Sequence, residues 1–277
     1  MSNAFLKWPG GKNWFVKHLN TILPEDFHYE RYVDPFVGGG SVFFALNPQN
    51  ALLADINEEL ITTYQAVRDN CGQVKRTLRQ HMAQHNEAYY YHIREAQYRA
   101  STSVAARMIY LNHTCFNGIY RVNKTGKFNV PIGNNNLEFF DANYLDEKSN
   151  RLQNKEILCQ NYLETINATG QGDFLFCDPP YAVQDNENRF VGYTRNLFSW
   201  NDQVLLSNSL QNAAQRGVYI LETNVNHPSI IELYQHIPHV HFQEISRYTS
   251  ISGTRTARTQ YSELIITINI GDQNGIN

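Results

Sequence analysis

The chain has 277 residues, with 23 Lys plus Arg against 26 Asp plus Glu, a formal net charge of −3, 42% hydrophobic and 18% charged residues. That length supplies one large domain or two smaller ones with a full core, and the apolar content excludes a wholly disordered chain. No apolar run approaches the roughly eighteen residues of a membrane span, and Met1 to Lys17 lacks the apolar core and cleavage site of a signal peptide.

In chain order, a helix is predicted over Lys12 to Leu23, after the Gly10-Gly11 break. Arg31-Tyr-Val-Asp34 reads as a short strand entering the turn Pro35-Phe-Val-Gly-Gly-Gly40, followed by a short helix, Ser41 to Leu46. A second strand, Ala51 to Ala54, ends at Asp55, and Asn57 can cap a helix over about Glu58 to Asp69. This strand, Gly-rich turn, helix, strand and acid order is a nucleotide-binding α/β pattern. Gln73 to Leu111 reads as helical. Ile119 to Pro131 reads as two strands about a Lys124-Thr-Gly126 turn, a hairpin with a basic tip, and Asn134 to Asn136 marks a loop. Strands resume at Glu156 to Gln160 and Asp173 to Cys177, the latter ending in Asp178-Pro-Pro-Tyr181. Gln184 to Arg195 is a polar loop, Asp202 to Arg216 a helix, and Val218 to Glu222 and Ser262 to Ile270 the closing strands. An α/β domain, residues 1–57 and 144–277, is thus expected to be interrupted by a mostly helical insertion over 58–143.

Two motifs can carry chemistry. In Phe36-Val-Gly-Gly-Gly40, glycines allow close backbone approach to a ligand. The dinucleotide fingerprint fails because Phe43 stands where the third Gly is needed, and Leu6 and Asn13 break a phosphate-binding loop at Gly11-Lys12. A Gly-rich turn alone serves equally as a plain tight turn. Asp55, at the end of the next strand, tips the balance, because a carboxylate there can accept both ribose hydroxyls of a nucleoside; a helix-capping Asp is the alternative. In Asp178-Pro-Pro-Tyr181 the prolines leave stiff, extended backbone without donors. Asp178 and a free carbonyl make paired acceptors for an NH₂ group, and Tyr181 offers a flat face to a planar base. The plain alternative is a strand-ending turn with a packed Tyr.

Other residues carry less. His81 and His85 have metalloprotease-like spacing, but Met82 replaces the essential Glu, so a solvated or interfacial helix face is the reading. Cys177 lacks an electropositive activator and reads as a buried strand thiol. The scattered Cys71, Cys115, Cys159 and Cys177 form no disulfide framework or zinc ribbon, no metal is expected, and reduced thiols fit a cytoplasmic compartment.

A charge near zero argues mildly against a nucleic-acid partner, but position changes that. Met1 to Pro24, Ala96 to Leu137 and Ile245 to Ser262 contain no acid and hold eleven of the 23 basic residues; the rest of the chain nets −14. Three acid-free basic segments favour a local polyanion surface.

At this point the chain resembles the Dam-like (alpha group) DNA adenine-N6 methyltransferase family. The resemblance rests on Ala4-Phe-Leu-Lys-Trp-Pro-Gly-Gly-Lys12, Asp34 to Gly40, Leu53-Ala-Asp-Ile-Asn57, Leu111 to Gly133, Asp178 to Tyr181 and the tail Arg247 to Ile266, in that order over nearly the whole chain. It implies a Rossmann-like S-adenosylmethionine-dependent methyltransferase sheet with a mostly helical target-recognition insertion carrying a β-hairpin. S-adenosyl-L-methionine is the implied donor, with Trp8, Lys12, Asp34, Phe36, Gly38, Gly40 and Asp55 at cofactor positions and Asp178 serving both cofactor and catalysis. Asp178 and the Pro179 carbonyl would hold the adenine amine, and Tyr181 would stack on the flipped base. Arg121 matches a guanine-reading Arg, Ile119 and Pro131 apolar positions facing a thymine methyl, and Lys7 a Lys that reads the first guanine of a GATC-type site. Asn117, Asn123, Lys124, Lys127 and Asn134 complete the expected DNA surface. Ile119 and Asn134 depart from the residues some members carry, so a GAT core is implied while the bases beyond it stay open.

The reading is therefore a site-specific adenine-N6 methyltransferase of duplex DNA that acts by base flipping. Alternatives are a cytosine-N4 methyltransferase using the same amine-holding chemistry, a catalytically silent DNA-binding module and, more weakly, an RNA methyltransferase. A monomer in solution, no membrane association, and either a solitary regulatory role or a partner restriction endonuclease complete the expectations.

Overall fold

The computed structural model describes residues 4–123, 125–134, 143–183, 198–248 and 260–271. In chain order the elements are α1 (Leu19–Ile22), β1 (Arg31–Asp34), α2 (Ser41–Leu46), β2 (Ala51–Asp55), α3 (Glu58–Ala83), α4 (Glu87–Glu95) and α5 (Ser101–Thr114). Then follow α6 (Asn143–Leu152), β3 (Glu156–Cys159), α7 (Tyr162–Asn167), β4 (Asp173–Cys177), α8 (Trp200–Gln215), β5 (Tyr219–Val225), α9 (Pro228–Tyr234), β6 (Val240–Tyr248) and β7 (Gln260–Ile268). The strand order is β3-β2-β1-β4-β5-β7-β6, a mixed seven-stranded α/β sheet in keeping with the Rossmann-like expectation.

Contacts divide the chain into two compact units, Met1–Leu19 with Val37–Gln160, and Asn20–Phe36 with Asn161–Asn277. In the first, β2 and β3 pair in parallel with Asp55 opposite Cys159, and α3 packs on α5 and α6. In the second, β1, β4 and β5 are parallel, while β7 runs antiparallel to both β5 and β6. All five residues of β4 are buried, as a parallel strand covered on both faces requires. Each fully buried Phe or Leu there contributes roughly 1.5–3 kcal/mol of transfer free energy. Asp34 and Asp55 end β1 and β2, and Asp178 follows β4 directly. Carboxyl ends of parallel strands are where α/β sheets bind ligands.

Several boundaries differ from the sequence expectations. The helix predicted over Lys12 to Leu23 is two 3₁₀ turns, Lys12–Trp14 and Val16–His18, before the single turn of α1. Gly11 offers no side-chain cap there, and Pro24 stops the run. The break expected after Asp69 is only a kink at Asn70, where φ is −138°; packing on α5 carries the helix on to Ala83 and overrides the local Asn and Gly signals. The helical stretch expected from Gln73 to Leu111 is divided among α3, α4 and α5, because Asn86 caps α4 with a bond to the Tyr89 N–H and Ala96 leaves it extended. The expected hairpin is present as a short one: a bridge pairs Val122 with Phe128, the Asn123 N–H donates to the Lys127 carbonyl at 2.8 Å and the Asn129 N–H to the Arg121 carbonyl at 3.1 Å, and a second bridge joins Cys115 to Ile132. Its turn is tied by Asn123 Oδ1, which accepts from the N–H groups of Thr125 and Lys127, and Asn117 and Gly118, just ahead of the hairpin, take left-handed φ values of 56° and 63°. β5 runs three residues beyond Glu222, and β6 escapes the sequence pattern because its alternation over Val240 to Gln243 breaks at Glu244, where an apolar residue is due. His81 is buried rather than solvated, bonded to the Tyr89 hydroxyl, and His85 bonds that of Tyr110; the interfacial alternative is the one that holds. None of the four cysteines forms a disulfide, and Cys177 is fully buried, its thiol pushed well above the ordinary range by that burial. The loop 184–195, Lys124 and the tail segment 249–259 lie outside the described residues.

Candidate active site and nucleic-acid interface

In the first unit the Gly-rich turn is built around Asp55. The Gly38 N–H donates to Asp55 Oδ2 at 3.2 Å and the Asn57 N–H to Oδ1 at 3.0 Å. Each oxygen therefore keeps acceptor capacity for a further donor, such as a ribose hydroxyl. Burial raises the Asp55 carboxyl pKa, and the backbone N–H groups oppose that rise. Gly38 has φ of 46°, and a Cβ there would lie 2.7 Å from Trp8 Cδ1, so only glycine lets the turn approach the indole. Gly40 (φ 67°) stands at the N-terminus of α2, and the Tyr64 hydroxyl donates to the Gly38 carbonyl at 3.0 Å. Lys12 is buried, with Nζ donating to the Gly10 carbonyl at 3.2 Å. Trp8, Gly38, Gly40 and Asp55 are thus brought together. Beside them Ile56 is 72% exposed, an apolar face next to a hydroxyl acceptor that the sequence reading missed.

In the second unit Asp178 leaves the buried strand β4 with Oδ1 accepting from the Thr223 hydroxyl at 2.7 Å. That bond orients the carboxylate. The Tyr181 hydroxyl donates to Glu263, a buried residue of β7, which fixes the ring. Asp34 is buried; its carboxylate accepts from the Tyr32 hydroxyl at 2.9 Å and the Phe36 N–H at 3.1 Å, so it shapes the turn after β1. Phe36 stacks on Tyr162 at 5.2 Å and meets Phe198 edge-on at 6.0 Å, a three-ring cluster of which the sequence reading found only Phe36.

Next to Thr223 in β5 stands Glu222, fully buried and opposite Cys177 in the β4–β5 register. Its Oε1 accepts from Asn224 Nδ2 at 2.7 Å and the Tyr234 hydroxyl at 3.1 Å, while Oε2 has no partner among the described residues. Burial raises its pKa to about 7. An acid directly after the apolar run Val218 to Leu221 was the available signal for Glu222, whereas Thr223 and Glu263 gave none.

The predicted recognition residues lie on the first unit. Lys7, Asn117, Ile119, Arg121, Asn123, Lys127, Pro131 and Asn134 are all exposed. Lys7 is joined to this loop through Asn112 of α5: the Lys7 N–H donates to Asn112 Oδ1 at 2.8 Å, and Asn112 Nδ2 donates back to the Lys7 carbonyl at 2.8 Å. The Lys7 stem crosses Gly118, where a Cβ would lie 2.2 Å from Lys7 Cδ. Two of the three basic segments therefore meet. Arg121 is held across the turn, its Nε donating to Asn129 Oδ1 at 2.8 Å. Phe116, also unforeseen, is 52% exposed beside Ile119 at 42%.

Comparison with known proteins decides the chemistry. Residues 8–251 match the D12 class N6 adenine-specific DNA methyltransferases. The type II methyltransferase M1.LlaDCHI of Lactococcus lactis subsp. cremoris is 32% identical over 272 residues, covering 95% of this chain and 94% of that one. The DNA adenine methylase of Salmonella typhimurium is 32% identical over 270 residues with the same coverage, and that of Vibrio cholerae is 31% identical over 267. These matches favour adenine over the cytosine-N4 alternative and an enzyme over a silent binding module. The chain belongs to the D12 class N6 adenine-specific DNA methyltransferase family.

Proposed function

We propose that this enzyme transfers a methyl group from S-adenosyl-L-methionine to the N6 amine of an adenine flipped out of duplex DNA, within a GAT-containing site of the GATC type. The observation that carries the reading is Asp178, set at the end of β4 with one oxygen oriented by Thr223. The adenine N6 lone pair is delocalised into the ring and is a weak nucleophile. Asp178 and the Pro179 carbonyl accept the two amine hydrogens, favour pyramidalisation and free the lone pair. The work is positioning and electrostatic stabilisation, with no covalent enzyme intermediate. Tyr181 stacks on the extruded base, whose flipping costs roughly a few kcal/mol.

The residues of the first unit suit the proposed donor. When bound, it supplies an electrophilic sulfonium methyl. Asp55 would take its ribose hydroxyls, Ile56 one face of its adenine, and Trp8 and Lys12 would line the cleft by Gly38. Residues 58–143 act as the target-recognition region in this reading. Arg121 reads a guanine, Lys7 the first guanine, and Ile119 and Pro131 a thymine methyl. Phe116 presents apolar surface of the kind that wedges into a base stack. The relatives' names include both a type II methyltransferase and DNA adenine methylases. We carry both roles forward, solitary or partnered with a restriction endonuclease, for a cytoplasmic monomer.

The test is Asp178→Ala. Methyl transfer to DNA should fall to background while duplex binding, measured by fluorescence anisotropy, persists. Full activity in this variant contradicts the mechanism.

A further inference from the structure

Two chains of contact leave Asp55 and end on the same side chain. Along the first, Asp55 binds the Gly38 N–H, and Gly38 lies against the Trp8 indole so closely that a Cβ would collide with it. Trp8 in turn stacks face to face on Tyr120, with centroids 4.6 Å apart and planes 20° from parallel. Along the second, Asp55 binds the Asn57 N–H, and Asn57 Nδ2 donates to the Tyr120 hydroxyl at 3.4 Å. That hydroxyl donates to Glu59 Oε2 at 3.3 Å, and Glu59 is itself paired with Arg107 at 2.8 Å. Tyr120 is half-buried, its neighbours Ile119 and Arg121 are exposed, and its hydroxyl pKa is pushed up to about 12 by burial and the Glu59 carboxylate.

The geometry points to Tyr120 as the positioning residue that couples the donor pocket to the DNA-reading loop. A ligand that bonds Asp55 and packs by Trp8 orders both arms of this ring. Ordering them fixes Tyr120 and with it the backbone that carries Arg121. Binding of the donor and of cognate duplex then support one another through Tyr120, and by linkage the effect is equal in both directions. The inference rests on the proposed assignment of S-adenosylmethionine to Asp55 and of duplex DNA to the loop.

The experiment measures duplex affinity of the full chain with and without sinefungin, a non-transferring analogue of the donor. The duplex carries the site mapped by methylation. In the wild type the analogue should tighten duplex binding within the roughly 5–150-fold range of typical couplings. Tyr120→Leu should bring that ratio to within about twofold of one, and Tyr120→Phe, which keeps the stack but loses the hydroxyl, should give an intermediate ratio. A residue with a purely structural role would weaken both affinities and leave the ratio intact. A wild-type ratio of one, or a wild-type ratio retained in Tyr120→Leu, overturns the coupling. Should Tyr120→Leu fail to fold, Tyr120→Phe decides, and an unchanged ratio there overturns it. Failure of the wild type to bind the analogue at all, read by calorimetry, contradicts the donor assignment instead.

Discussion

At the residue scale, the two predicted readers of substrate are held by hydrogen bonds within the protein. Asp178 is oriented by Thr223, and Arg121 by Asn129. Pre-orientation of this kind lowers the ordering cost of binding, since less side-chain entropy remains to be lost. The Nε–Asn129 bond engages one edge of the Arg121 guanidinium, and bidentate contact with a guanine uses two parallel N–H groups of the fork. Arg121→Ala should therefore lower discrimination at one guanine by about 1–3 kcal/mol while methylation of the altered sites rises relative to the cognate site. Competition between cognate and singly substituted duplexes measures this. Unchanged discrimination removes Arg121 from the reading set.

At the element scale, legibility in the sequence tracked how local the cause was. β4 was plain because a buried parallel strand is a continuous apolar run that ends at Asp178. The turn from Val37 to Gly40 was plain because glycine backbone requirements are local. The length of α3 was not, since its continuation past Asn70 depends on packing against α5. Neither were Thr223 and Glu263, whose roles arise from strands distant in sequence brought beside Asp178 and Tyr181. β5 also carries a thermodynamic consequence. Glu222 is raised from 4.5 to about 7 in the folded chain. Between those values the unfolded chain is ionised at this group while the folded chain keeps the proton, so stability falls as pH rises across the window. The loss from this one group is about 3 kcal/mol. Urea unfolding of Glu222→Gln and the wild type should diverge in the variant's favour by about that amount from pH 4.5 to 7.5. Parallel pH profiles would show that Glu222 is ionised in the fold.

At the scale of the whole molecule, a net charge of −3 conceals segregation. The N-terminal segment and the 96–137 segment meet through Asn112, Lys7 and Gly118 within one unit. Most of the third segment, 245–262, lies outside the described residues. Lys127 is exposed on the loop and, as a phosphate contact, should act without regard to sequence. Lys127→Ala should weaken binding to cognate and random duplex alike and reduce the slope of log affinity against log salt by about 0.9. An unchanged slope makes Lys127 a surface charge only. The central claim is that Asp178 delivers an adenine amine to a methyl donor within a GAT-containing site. Its most direct test is methylation of mixed-sequence DNA with S-adenosylmethionine, followed by base-resolution mapping, for the wild type and Asp178→Ala in parallel. The account predicts N6-methyladenine confined to one GAT-containing site in the wild type and none in the variant. Methylated cytosine, methyladenine without a GAT context, or equal modification by the variant would contradict it.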